Sequence, residues 1–97
     1  MSLRTTSVCE QHITALDEWW RENRPKAPEL FLDELADTFA LIESVPSLGR
    51  PWKTTVVPGV RRVVMRATRY HIYYREDDEG VVVLAVWSAV RGRGPDL

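Results

Sequence analysis

The run Val81–Trp87, which reads VVVLAVW, constrains this chain more than any other stretch. It is wholly apolar and mostly β-branched, the composition of a strand covered on both faces, so it should lie in the middle of a sheet. The preceding segments supply its neighbours. In Val60–Ala67 one face carries Arg61, Val63, Met65 and Ala67, and the other Val60, Arg62, Val64 and Arg66. Both faces are mixed, so the arginine stems must run along apolar surface. Next, Tyr70, Ile72 and Tyr74 alternate with His71, Tyr73 and Arg75. Ala67-Thr68-Arg69 forms the turn between these strands, and Asp78-Glu79-Gly80 the turn before the last, with Gly80 supplying the positive φ that a tight hairpin needs.

The N-terminal half has a different period. Leu3–Thr6 is a short strand candidate, and Ser7 with Glu10 three residues on forms an S-x-x-E capping box that should open a helix. Cys9, Ile13, Leu16 and Trp20 then recur at steps of four, three and four along one helical face. Cys9 on that stripe reads as a small buried hydrophobe, and His12 as a residue on the helix flank. The prolines at 25 and 28 break this helix, and a second should start near Pro28. Its apolar stripe is Leu32, Leu35, Phe39 and Ile42, widened by Phe31 and Ala36, with Glu29, Asp33 and Asp37 forming an acidic stripe. Two amphipathic helices with a short joint make an antiparallel hairpin. Between Val45 and Gly59, prolines and glycines bracket an irregular connection, with a short extended piece at 54–57 and with Trp52 and Lys53 placed either to plug the core edge or to stack on a ligand.

The order is therefore β-α-α-β-β-β, an α+β fold in which an N-terminal helical hairpin packs on an antiparallel sheet. With 97 residues and no internal repeat, residues 1–97 form one domain, small enough that a partner would add usefully to its stability. The net charge of −1 conceals an asymmetry: the half ending at Gly49 carries about −5 and the half from Arg50 about +4. A single cysteine excludes an intrachain disulfide, and with only two histidines there is no cluster at metal-ligand spacing. We expect no metal and no cofactor. No segment approaches the roughly 20 apolar residues that span a bilayer, so no membrane association and a cytoplasmic location are expected.

The chain resembles the ParE/RelE toxins of bacterial type II toxin–antitoxin systems. The resemblance covers Cys9 to Leu97 and rests on FLDEL in the second helix, VPSLGRP after it, GVRR opening a strand, RYHIYYR as the next, and VVVLAVW before an arginine-rich tail. It implies a growth-inhibiting toxin neutralised by a cognate antitoxin in a hetero-oligomer. Arg61, Arg62, Arg66 and Arg69 would then meet acidic antitoxin residues, and Arg91 and Arg93 the target.

ParE-like members bind DNA gyrase and are not known as enzymes, whereas RelE-like members cut messenger RNA on the ribosome. By position, Lys53, Arg66 and Arg91 would be the nuclease's cationic residues. RNA cleavage by the 2′-hydroxyl also needs a proton donor and acceptor. Here Ser88 stands where many relatives carry histidine, and only Gly94, Pro95, Asp96 and Leu97 follow Arg93. Acid catalysis would fall to Tyr70, Tyr73 or His71. The expected function is therefore a gyrase-binding toxin with no catalytic residue, and the alternative a ribosome-dependent endoribonuclease. Thr68 also departs from relatives that have glycine there, and would be strained if the turn required positive φ at that residue.

Overall fold

The structure is a computed structural model that describes residues 2–53, 56–88, 94, 95 and 97. Its elements are β1 (Ser2–Thr5), α1 (Ser7–Asn23), α2 (Leu30–Ser44), a 3-10 turn at Pro46–Leu48, β2 (Arg50–Pro51), β3 (Arg61–Met65), β4 (Tyr70–Asp77) and β5 (Gly80–Ser88). The sheet order is β1-β5-β4-β3-β2, so the apolar run lies inside the sheet as its composition demands. The two helices cover one face. The sheet is antiparallel except at its N-terminal edge, where β1 runs parallel to β5. That edge is parallel because α1 and α2 with the hairpins return the chain to β1 from the far side.

A β-bulge between β4 and β5 lets the last strand serve two cores. Tyr73 pairs with Ala85 and Tyr74 with Val83, leaving Leu84 as the extra residue. The alternation of β5 is thereby reset. Val81, Val83 and Val86 pack under the helices with Ile72, Tyr70 and Tyr74. Ala85, Leu84 and Trp87 face the other way, with Tyr73, Val60, Trp52 and Leu97. A strict two-residue alternation would have split these residues differently.

Thr6, not Ser7, caps α1. Its backbone is extended (φ −81°, ψ 162°), its N–H donates to the Val83 carbonyl at 3.1 Å, and its Oγ1 accepts from the Cys9 N–H at 3.1 Å. One threonine thus ends β1 and begins the helix. Glu10 accepts from Thr5 Oγ1 at 2.6 Å instead of reaching a Ser7 cap. Farther along α1, His12 is more than a flank residue: its Nδ1 accepts the Val86 N–H at 3.3 Å, just beyond the β1–β5 pairing, and its ring meets Trp87 edge-on at 5.5 Å. α2 starts at Leu30, with Glu29 as its N-cap residue, slightly later than Pro28 suggests. Its buried seam is Phe31, Leu35, Thr38 and Ile42; Leu32 and Phe39 flank it half-buried, and Ala36 is exposed. Thr38 fits this apolar seam because its hydroxyl donates to the Glu34 carbonyl one turn back, at 2.7 Å.

The connection Val45–Gly59 contains two ordered pieces that its composition hid, the 3-10 turn and β2, whose Arg50 and Pro51 pair with Arg62 and Arg61. Of the expected extended piece, positions 54 and 55 lie outside the described residues, and Val56 and Val57 are not in a strand.

Candidate functional site

The turn between β3 and β4 carries arginines at both ends and is fixed from below by Glu34 of α2. The Glu34 carboxylate accepts the Ala67 N–H at 2.8 Å, the Thr68 N–H at 2.9 Å and the Thr68 hydroxyl at 2.6 Å. Burial opposes ionisation of Glu34, but these three donors outweigh it and hold the carboxyl below its ordinary range. Threonine is not strained here, because the positive φ falls on Arg69 (68°) and not on Thr68. The Arg69 N–H closes the turn on the Met65 carbonyl at 2.8 Å. A non-glycine residue in this region costs about 1 kcal/mol or more.

Arg66, at the start of the turn, looks into a depression of about 480 Å³ between α2, the 3-10 turn and β3. Arg50, Arg62 and Arg66 supply its positive charge, and Leu41, Leu48 and Val64, all roughly half exposed, its apolar wall. Because β2 covers only Arg61 and Arg62 of β3, the outer edge of β3 from Val63 onward pairs with no strand among the described residues. An open edge beside three guanidinium groups suits an extended chain with acidic side chains, which would take backbone hydrogen bonds from the strand and ion pairs from the arginines. Arg69, at the end of the turn, lines a different depression, next to Trp19 and Trp20 of α1 and its C-cap residue Arg24.

Arg61 is turned inward. Its guanidinium donates to the Gly49 carbonyl at 2.7 Å, beside the Tyr74 hydroxyl, which accepts the Gly49 N–H and donates to the Pro46 carbonyl, each at 2.7 Å. Burial pushes the Tyr74 phenol above its usual value. Arg61 therefore secures the connection after α2. Of the four arginines assigned to an antitoxin surface, Arg62 and Arg66 share one depression, Arg69 lines another, and Arg61 bonds the chain's own carbonyls.

The residues named for RNA cleavage are not gathered in one place. Lys53 lines a small hollow with Trp52, Val57 and Pro58, separate from the depression that holds Arg66. Tyr73 is 1% exposed under Trp52, whose ring meets it edge-on at 4.7 Å. Tyr70 is buried on the helix face, where its hydroxyl accepts from Trp20 Nε1 at 3.0 Å. His71 is half-buried; burial, with the nearby Arg62, lowers its pKa. Arg91 and Arg93 lie outside the described residues. Burial pushes the Cys9 thiol up to about 12, far from a reactive thiolate. No group of His, Cys, Asp and Glu among the described residues is arranged to hold a metal ion, and no described helix is long and apolar enough to cross a membrane.

Sequence reasoning missed Glu34 as the anchor of the turn and missed the Leu41, Leu48 and Arg50 walls. The available signal was Leu41 lying off the apolar stripe of α2, an apolar residue without a place in the core.

A helical hairpin on one face of a five-stranded sheet defines the fold shared by ParE and RelE toxins. It superposes on a chain of the chromosomal ParDE toxin–antitoxin system from P. aeruginosa with a TM-score of 0.75 at 17% identity, covering 91% of this chain and 95% of that one. On the isolated E. coli RelE toxin the TM-score is 0.56 at 19% identity, covering 94% and 86%. Residues 3–92 match the family described as ParE toxin of type II toxin–antitoxin system, parDE, and the chain belongs to that family. No curated protein sequence matches it.

Proposed function

We propose that this toxin acts by binding rather than by catalysis: it inhibits DNA gyrase in the cytoplasm and is held inactive by a cognate antitoxin. The carrying observation is the separation of Lys53 from Arg66 together with the sealing of Tyr73 under Trp52, so that the loop lysine and this tyrosine do not meet at the cationic surface. The family match and the closer superposition on the ParDE chain than on RelE agree with this reading. The antitoxin's acidic segment occupies the depression between α2 and the open edge of β3, with Arg50, Arg62 and Arg66 as its ion-pair partners. Arg91 and Arg93 contact the target.

Purified protein added to a gyrase supercoiling reaction should inhibit it, and induction without antitoxin should leave the 5′ ends of translated messages unchanged. Unaffected supercoiling with A-site cuts in those messages would replace this reading with the ribonuclease. Reversing charge at Arg62 and Arg66 together should weaken antitoxin binding by about a hundredfold or more, the scale of two charge-assisted contacts.

A further inference from the structure

We propose that the depression between the C-terminal end of α1 and the β3–β4 turn is a second binding site, for a protein segment that presents one carboxylate beside an apolar side chain. The site does not depend on which cellular target the toxin inhibits. It measures about 430 Å³, within the size range of ligand sites, and shares no residue with the α2–β3 depression.

Its apolar wall is indole. Trp19 is 43% exposed, and Trp20 lies behind it, edge-on at 5.9 Å and held by its bond to Tyr70. Over these rings lies the Arg24 guanidinium, 5.2 Å from the Trp19 centroid and 5.8 Å from that of Trp20. An arginine laid on aromatic rings is partly stripped of water and keeps its outward N–H groups for an anion. Among the described residues no carboxylate pairs with either cation in the site. Arg21, one turn earlier, pairs with Asp17 at 3.1 Å, whereas Arg24 reaches only the Asn23 carbonyl at 3.3 Å. Arg69 has no ion pair or hydrogen bond from its side chain among the described residues.

Arg69 also holds a backbone conformation, φ 68°, that glycine would adopt without strain. The turn carries that cost with a long cationic side chain at its end, aimed at the same depression as Arg24.

The neighbouring charges select the occupant. Glu18 and Glu22 are exposed on the same stretch of α1, and Glu22 follows Trp19 by one turn. A nucleic-acid strand needs a track of cations along its phosphates and would meet these carboxylates on leaving the site. One carboxylate between Arg24 and Arg69, with its apolar neighbour against the indole wall, avoids them.

The test is an NMR titration of the full chain, following the tryptophan indole N–H and arginine Nε–H signals, with three probes: acetyl-Phe-Glu-amide, acetyl-Phe-Gln-amide and AMP. The glutamate peptide should shift the Trp19, Arg24 and Arg69 signals saturably, and the other two should bind at least about tenfold more weakly, the difference one charge-assisted contact makes. Arg69→Gly removes the cation and relieves the backbone, so it should melt no lower than the parent yet lose about tenfold in affinity for the glutamate peptide. Equal binding of the glutamate and glutamine peptides, tighter binding of AMP, no saturable shift, or full retention in Arg69→Gly would each overturn the proposal.

Discussion

On one face of the sheet Ile72, Tyr74, Val81 and Val83 lie under two regular helices, with Cys9, Phe31 and Ile42 fully buried above them. On the other, Tyr73 and Ala85 lie under Trp52, Val57 and Leu97, residues that belong to no helix. Both faces are buried at their centres. The helical cover carries its own backbone hydrogen bonds and spreads its contacts over many side chains. The irregular cover depends on a few aromatic contacts: a Cβ on Gly94 would come within 2.9 Å of Trp52, so tail and indole fit only because glycine stands there. The difference bears on the candidate residues. The face closed by Trp52, Val57 and Leu97 buries Tyr73, one of the three residues to which acid catalysis could fall, while the charged rim between α2 and β3 stays open.

The comparison breaks most directly with two truncations. Phe31→Ala on the helical side should cost about 3–5 kcal/mol in urea denaturation, and Trp52→Ala about 2 kcal/mol, because the indole is only half-buried. Equal losses would mean that loop and tail contribute as much as the helices. Gly80→Ala tests the edge on which the helical cover begins. At φ 130° with a would-be Cβ 2.3 Å from the Ser2 carbonyl oxygen, alanine must push β1 off β5. We expect a loss of about 2–3 kcal/mol, with loss of amide exchange protection at Thr6, whose N–H donates to the Val83 carbonyl of β5.

Tyr74→Phe sharpens the link between the two sides, since this core tyrosine holds the chain that leads to Trp52. Removing its hydroxyl orphans the buried Gly49 N–H, and a loss of about 1–2 kcal/mol is expected, with faster exchange at Gly49. The smallest effect belongs to Glu34→Gln, below about 1 kcal/mol at neutral pH, because the half-buried side chain keeps an amide oxygen that still accepts from the turn. Its signature is pH dependence. The folded carboxyl sits below its unfolded value, so its contribution is complete above the unfolded value and fades as acid protonates the unfolded chain first. The parent should therefore lose stability from about pH 5 downward, and Glu34→Gln should flatten part of that slope. Asp77, held below its ordinary range by its hydrogen bonds with Arg4, contributes to the slope in the same sense.

Much of this architecture was legible from periodicity. The α1 stripe of Cys9, Ile13, Leu16 and Trp20, the alternation of β4 and the central place of Val81–Trp87 follow from side-chain spacing, because burial of one face or two leaves a period in the chain. The α2 seam was read with Leu32 and Phe39 at its centre; the structure turns it toward Phe31 and Thr38, whose hydroxyl finds a carbonyl one turn back. β2 was invisible, since two residues carry no period. The candidate sites were legible only in part. Arginine density marked the β3–β4 region, and alternation put Arg61 on the face opposite Arg62 and Arg66, but nothing local says that Arg61 bonds the chain's own carbonyls or assigns Arg69 to the Trp19 depression.

Alone, the sequence determined the α+β class, the helical hairpin, the central strand and the charge asymmetry between the two halves, since these depend on composition and on neighbours along the chain. Tertiary structure decided which arginines remain available. It also moved the helix cap to Thr6, shifted the strained residue of the turn from Thr68 to Arg69, and placed Glu34 beneath that turn. Each depends on groups brought together from distant positions, as when a carboxylate of α2 meets amides more than thirty residues later, and such meetings leave no period to read.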